Sequence, residues 1–336
     1  AQSARYALTT GRWTILDGGT CNTPFILKIE KTNDGLYLPV LNNSGLVRVL
    51  NGTTEIIPFK AINDITGYNT STKYIPSTTI SSIADGTILT VEIINNTAVN
   101  TGLKFVASDV NTNRPMIKEI VQWGEGTWNN DMSNFMTGAT HMTCSATDTP
   151  NFSNVTNMSN MFRNAYAFNG NIGNWNTANV TNMSYMFRNA TAFNGTIENW
   201  NTSNVTSMYA MFNNARAFNQ SINTSEDGTK WNTSKVQDMS LMFSEALVFN
   251  QPIGNWDTSK VTGMYAMFSG ARKFNQPINT SSDGSKWNTS NVISMALMLQ
   301  EAVSFTYPIG DWNTSKVTNM YRMLWNANQF NHSLAN

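Results

Sequence analysis

From Asn154 onward the chain restarts one pattern again and again. The stretch Asn154 to Asn179 reads N-V-T-N-M-S-N-M-F-R-N-A-Y-A-F-N-G-N-I-G-N-W-N-T-A-N, and Val180 to Phe187 begin it afresh as V-T-N-M-S-Y-M-F. A unit repeated with this fidelity cannot bury its apolar face alone, so it must stack on its neighbours. The opening Val recurs at Val155, Val180, Val205, Val236, Val261, Val292 and Val317, in steps of 25, 25, 31, 25, 31 and 25 residues. The two long steps carry similar insertions, N-T-S-E-D-G-T-K-W ending at Trp231 and N-T-S-S-D-G-S-K-W ending at Trp287. Duplication of a short-plus-long pair as one block accounts for that order.

Within each unit the spacing M-x-x-M-F-x-x-A predicts a one-faced helix of about two turns. Met183, Met186, Phe187 and Ala190 stand at i, i+3, i+4 and i+7, one stripe of a 3.6-residue period. Asn157, Asn182, Ser207, Asp238, Gly263, Ser294 or Asn319 precedes the first Met, and each is a favoured N-cap. The second half, F-N-x-x-I-x-x-W, is too short and too rich in Asn and Gly for another helix, and reads as a short extended segment stacked in parallel with its copies. Phe168, Phe193, Phe218, Phe249, Phe274, Phe305 and Phe330 form one column, and Ile172 to Ile309 another. The Asn after each Phe (Asn169, Asn194, Asn219, Asn250, Asn275, Asn331, with Thr306 breaking the column) is expected to form a ladder satisfying neighbouring units.

The units resemble the BspA-like surface-protein repeats, distant relatives of leucine-rich repeats. Gln251-Pro252-Ile253-Gly254-Asn255-Trp256-Asp257-Thr258-Ser259 is the nearest copy, and the resemblance runs from about Met132 to the C-terminus. Leu299 and Leu324 replace Phe, and Met142 stands where the Phe column would begin. The resemblance implies a cell-surface or extracellular protein engaged in adhesion, and brings no enzymatic residues with it.

Residues 1–122 lack the repeat. They hold short apolar or alternating runs, Phe25 to Ile29, Leu36 to Leu41, Leu46 to Leu50, Ile88 to Ile94 and Leu103 to Ala107. Turn signals at Asp17-Gly18-Gly19, Asn33-Asp34-Gly35, Asn51-Gly52 and Asp85-Gly86 separate them. This spacing predicts an antiparallel β-sandwich or two small β modules, immunoglobulin-like in outline but without a Cys-Trp-Cys signature. Met116 to Gly124 reads as a further strand. Met132, Phe135, Met136 and Ala139 then repeat the stripe spacing, so residues 123–153 are read as a degenerate capping repeat ahead of seven repeats over 154–336.

Composition narrows the function classes. The chain has 21 acidic and 21 basic residues, and only 12% of its residues are charged. No basic excess points to nucleic acid, and no apolar run reaches transmembrane length. The first residue is Ala and no leader-type segment is present, so a leader removed or a longer parent chain is expected. The final unit stops part-way, at N-H-S-L-A-N, which is read as an end covered by a partner or continued in a longer chain. Cys21 and Cys144 could pair only if the N-terminal region folds back on the first repeat; separate thiols are the other reading.

Candidate sites are few. The Trp column (Trp175, Trp200, Trp231, Trp256, Trp287, Trp312) could stack on sugar rings, but equal spacing in every unit favours a structural role. The N-T-S triplets after it could form a hydroxyl array, but turn closure explains them better. Sequons such as Asn42, Asn51, Asn154, Asn182 and Asn204 mostly follow from the repeat itself. The insertions around Glu226-Asp227-Gly228 and Asp283-Gly284 either mark a binding face or are tolerated loops. Glu226, Asp227 and Asp283, with the adjoining Trp231 and Trp287, are therefore the candidate binding residues. Each loop offers few carboxylates for calcium. No metal or cofactor motif is present, and His141 and His332 sit in no nucleophile motif.

The expectation is an α+β protein, a β-rich N-terminal anchor followed by a leucine-rich-repeat-type solenoid of short helices and short parallel strands. Its expected function is non-enzymatic adhesion at a host or neighbouring cell surface, matrix protein or glycan, without nucleic acid and without a transmembrane segment. The alternative is a homopolymer, the subunit of an extracellular filament, sheath or virion fibre.

Overall fold

In the computed structural model, residues 6–9, 12–15, 23–37, 45–61, 64–65, 74–76, 78–95, 115–126, 128–225, 230–279 and 287–334 are described. The chain divides into two compact units, one of residues 1–106, 116–129 and 144–154, the other of 107–115, 130–143 and 155–336. The segment expected as one cap, 123–153, is thus shared between them.

The N-terminal unit contains strands β1 (Tyr6–Thr9), β2 (Arg12–Ile15), β3 (Phe25–Glu30), β4 (Gly35–Tyr37), β5 (Gly45–Asn51), β6 (Thr54–Ala61), β7 (Tyr74–Pro76), β8 (Ile88–Asn95) and β9 (Ile117–Gln122), with a two-residue edge strand β10 (Thr143–Cys144). Six of them form one sheet in the order β10-β9-β3-β8-β5-β6, and β1-β2 and β4-β7 are two-stranded ribbons. The pairs β3–β8, β3–β9, β5–β8 and β5–β6 are antiparallel. Among the described residues the N-terminal region is β-rich as expected, with one six-stranded sheet and no second sheet of comparable size.

Alternation makes this sheet two-faced. Phe25, Leu27 and Ile29 of β3 face Ile93, Val91 and Leu89 of β8, and all six are buried. Val49 and Val47 of β5, paired with Val91 and Ile93, extend the same face. The intervening residues carry charge in matched pairs. Lys28 bonds Glu119 at 2.6 Å, Lys118 bonds Glu30 at 2.6 Å, and Arg48 bonds Glu92 directly across from it. Beside the sheet, Phe25, Trp123, Trp128 and Phe152 form an edge-and-face aromatic cluster with centroids 5.0–6.3 Å apart.

Strand β6 escapes the alternation rule because Pro58 interrupts it. The strand lies at the sheet edge, and Pro58 falls in the register shift between Lys60 and Ile57, where its missing N–H leaves no gap in the ladder. The Asn51-Gly52 signal does form a hairpin, with Asn51 paired to Thr54 and Gly52 at φ 59°. Gly35 closes a turn with Thr32 at φ 122°, and a β-carbon there would lie 1.9 Å from the Ile75 carbonyl oxygen. Leu103 to Ala107 and Asp17 to Gly19 lie outside the described residues.

The repeat unit corrects the expectation of helices. Among the described residues there are none, and the Met–Met–Phe–Ala stripe is a chain of β-turns. Met161 N–H bonds the Met158 carbonyl at 3.3 Å, Arg163 bonds Asn160 at 3.1 Å, and Ala165 bonds Phe162 at 3.1 Å. The N–H groups between them bond the following unit instead: Met158 to Asn182, Asn160 to Ser184, Phe162 to Met186 and Asn164 to Arg188, at 2.8–3.0 Å. Asn160 and Asn164 have φ of 57° and 61°, the left-handed third position of a type II turn. A run of such turns returns residues i, i+3, i+4 and i+7 to one side, so its apolar spacing mimics a helix. The physical choice between them lies in the hydrogen bonds. An isolated two-turn helix is unstable in water, whereas here every second N–H finds a carbonyl on the neighbouring rung.

The expected helix caps serve this geometry too. Asn157, Asn182, Asp238 and Asn319 each accept, through a side-chain oxygen, the N–H two residues on, at 2.8–3.0 Å. Seven parallel bridges link this column from Asp131 through Asn157, Asn182, Ser207, Asp238, Gly263 and Ser294 to Asn319. The F-N-x-x-I segments are likewise not strands. Their link from rung to rung is a side-chain ladder, Asn194 N–H to Asn169 Oδ1, Asn219 to Asn194, Asn250 to Asn219 and Asn275 to Asn250, at 2.8–2.9 Å.

Candidate functional site: the outer surface of the rungs

The interior of the stacked unit is filled by columns. Phe162, Phe187, Phe212, Phe243 and Phe268 stack face to face at 5.7 Å, and each meets the second Phe of its own rung at 3.9–4.0 Å. The Met, Ala and Val columns close around them and are buried throughout the inner rungs.

The Trp column belongs to this interior. Trp231 and Trp287 are 0% and 2% exposed. Trp231 Nε1–H donates to the Ile197 carbonyl at 2.8 Å and Trp287 Nε1–H to Ile253 at 2.9 Å, as Trp200, Trp256 and Trp312 do to Ile172, Ile222 and Ile278. A sealed indole whose N–H is already bonded has no face to offer a sugar. The N-T-S triplets are equally committed. Thr177, Thr202, Thr233, Thr258 and Thr289 are buried, and each hydroxyl donates to a carbonyl of the next rung at 2.9–3.1 Å. Asn201, Asn232 and Asn313 close the turn to the Ser two residues on.

Glu226, Asp227 and Asp283 lie outside the described residues. The base of the first insertion is described. Thr224 Oγ1–H donates to the Trp231 carbonyl at 2.8 Å, and Ser225 and Lys230 are joined by two bonds. The rung therefore closes at Ser225 and Lys230. Among the described residues no three His, Cys, Asp or Glu side chains gather as metal ligands. Cys144 carries a free thiol, and burial pushes it up to about 11, with the charges of Asp148 and Glu119 adding to the effect.

What varies is a pair of positions nearer the surface, buried only at Ser240, Ser244 and Ala296. One residue after the first Met, the successive rungs carry Ser159, Ser184, Tyr209, Ser240, Tyr265, Ala296 and Tyr321. Five residues after it they carry Arg163, Arg188, Asn213, Ser244, Ser269, Gln300 and Trp325. These positions are neither constant columns nor insertions, so the sequence alone does not single them out; their one signal is that they are the non-repeating letters of the repeat. Across the first three rungs, Arg163 Cζ and Arg188 Cζ lie 5.4 and 5.5 Å from the ring of Tyr185, two residues after Met183, and Tyr209 is edge-on to Tyr185 at 4.9 Å. Burial, and then the hydrogen bond with Tyr185, raise the Tyr209 hydroxyl above its ordinary range.

A family model described as "Mycoplasma protein of unknown function, DUF285" matches residues 130–228 and 279–336, which lie in the stacked unit except for 144–154. The chain is thus similar, over its repeats, to a family whose function is not defined. A search of curated proteins and of solved structures finds no match. Among the described residues no helix is long and apolar enough to cross a membrane.

Proposed function

We propose that this chain is a non-enzymatic recognition protein of the BspA-like kind, acting outside the cell or at its surface, whose stacked rungs present a binding face. One observation carries this reading. The interior columns hold nearly the same residues from rung to rung, while two positions nearer the surface change, and at most rungs their residues (Arg163, Arg188, Tyr209, Asn213, Tyr265, Gln300, Tyr321 and Trp325) are not buried. A scaffold held constant beneath a variable surface suits recognition of an extended partner such as a cell surface, a matrix protein or a glycan. The low charge leaves that surface dominated by amides, hydroxyls and aromatic edges.

The test is a screen of the full chain against immobilised host cells, matrix proteins and glycans, with light scattering on the same material. Saturable binding by a monodisperse chain supports the reading. Absence of binding to every surface, together with growth into regular polymers as concentration rises, would replace it with the filament-subunit alternative.

A further inference from the structure

Arg163 and Arg188 occupy corresponding positions of adjacent rungs, and their Cζ atoms lie 5.4 and 5.5 Å from the centroid of the same ring, that of Tyr185. Arg163 Nη1–H donates to Asn160 Oδ1 at 3.2 Å, and Arg188 Nε–H to Asn213 Oδ1 at 3.1 Å. Both acceptors are neutral amides. Among the described residues no carboxylate lies within ion-pair distance of either guanidinium. Arg163 Nε is buried and has no hydrogen-bond partner among the described residues. Burial first, and the charge of Arg188 second, hold the Arg163 guanidinium below its ordinary range. Two half-buried like charges without a counter-charge are costly to hold. The backbone that carries this shared ring is held in an unfavourable conformation as well. Tyr185 has φ 61°, at a position where neighbouring rungs place Asn160 and Ala210.

We propose that Arg163, Arg188 and Tyr185 form a binding site for the carboxylate or sulfate group of an acidic polysaccharide. Guanidinium forks bind such oxyanions with paired N–H donors, and an anion here supplies the missing counter-charge. The surroundings favour a sugar as the carrier of that anion. The groups beside the arginines are amides and hydroxyls: Asn160 Oδ1 and Asn213 Oδ1 accept from the guanidiniums and Ser184 Oγ bonds Ser207 Oγ, while the Tyr185–Tyr209 pair presents aromatic edges rather than an apolar pocket. The site rests on the reading of the stacked unit as a recognition surface.

The test measures binding of the full chain to immobilised polygalacturonate and dextran sulfate, with neutral dextran and polyglutamate as comparison surfaces. The expected result is salt-sensitive binding to the two acidic polysaccharides, at least about ten-fold tighter than to either comparison surface, the gap expected when charged hydrogen bonds are made. R163Q/R188Q is expected to lose about ten-fold or more, while R216Q/R272Q, which removes the same charge elsewhere on the unit, stays near the parent. Arg188→Lys keeps the charge without the fork; it is expected to melt like the parent and still bind several-fold more weakly, which keeps the test decisive if the double variant does not fold. No binding to either acidic polysaccharide, undiminished binding by R163Q/R188Q, or equal binding to polyglutamate overturns the site. If R163Q/R188Q still binds cells or matrix as the parent does, this site falls and the recognition reading stands. If the parent binds no surface of any kind, both fall.

Discussion

The N-terminal sheet and the stacked rungs solve the same problem with opposite sequence economies. In the sheet, each buried residue has its own partner: Leu27 faces Val91 and Ile120, and Ile29 faces Leu89 and Ile117. The contacts join positions far apart in sequence, and cross-strand ion pairs such as Lys28–Glu119 line the other face. In the rungs one short list of residues serves every time, and each contact reaches about one unit along the chain. Thr202 bonds the carbonyl of Asn232, and Trp256 bonds that of Ile222. The difference teaches where a substitution is felt. A defect in the sheet is shared by the whole sheet, whereas a defect in a rung is passed to its two neighbours and fades.

Truncating a central column should show this most strongly. Phe243→Ala removes a ring stacked on Phe212, Phe249 and Phe268, and should cost about 3–5 kcal/mol. Amide exchange should accelerate in the adjoining rungs and stay unchanged in β3 and β8. Phe25→Ala, of similar local cost, should instead release protection across the entire sheet. Equal spread of the two defects would break the comparison.

Hydrogen bonds within the columns come next. Thr202→Val leaves the Asn232 carbonyl without its buried donor and should cost about 1–3 kcal/mol, read from denaturant midpoints. Leu297, with φ 60°, sits at the left-handed position that Asn134 and Asn160 occupy in two other rungs. Leu297→Asn should raise stability by about 1 kcal/mol, because Asn tolerates the left-handed region. A loss instead would show that the turn geometry is not the one described.

Titration separates the two units at smaller amplitude. The hydrogen bond from Lys28, then that from Ser145, holds Glu119 below the usual carboxylate range. A depressed folded-state pKa contributes stability above the unfolded value and loses it as pH falls through the folded one. Glu119→Gln should therefore flatten the acid limb of N-terminal unfolding and leave the rungs' profile alone. Cys144 has the opposite sign. Its stabilising contribution is present below the ordinary thiol value and is lost as pH rises toward about 11. In a Cys21→Ser background, Cys144 should react slowly with a thiol reagent at neutral pH and quickly once the chain is unfolded.

The sequence made the repeat, its period and its inward columns legible, because those depend only on which residues recur. It did not reveal the backbone. Met183, Met186, Phe187 and Ala190 satisfy the helical stripe and the turn chain equally well, and only the destination of alternate N–H groups separates them. Non-Asn, non-Gly residues at left-handed positions, such as Tyr185, Leu241 and Glu245, argue locally against such turns and are overruled by stacking. In the sheet, β3, β5 and β8 were readable from alternation, while β6 was hidden by Pro58. At the surface the buried Trp residues drew attention by their regularity, whereas Arg163 and Arg188 were inconspicuous because they do not recur in later rungs.

Scalar couplings across hydrogen bonds, measured by NMR on isotope-labelled chain, test the account most directly. Turn-built rungs predict couplings from Met183 N–H to the Ser207 carbonyl, from Tyr185 to Tyr209 and from Phe187 to Met211. Couplings from Phe187 and Arg188 to carbonyls four residues earlier in the same unit, with none between units, would contradict it and restore the helix.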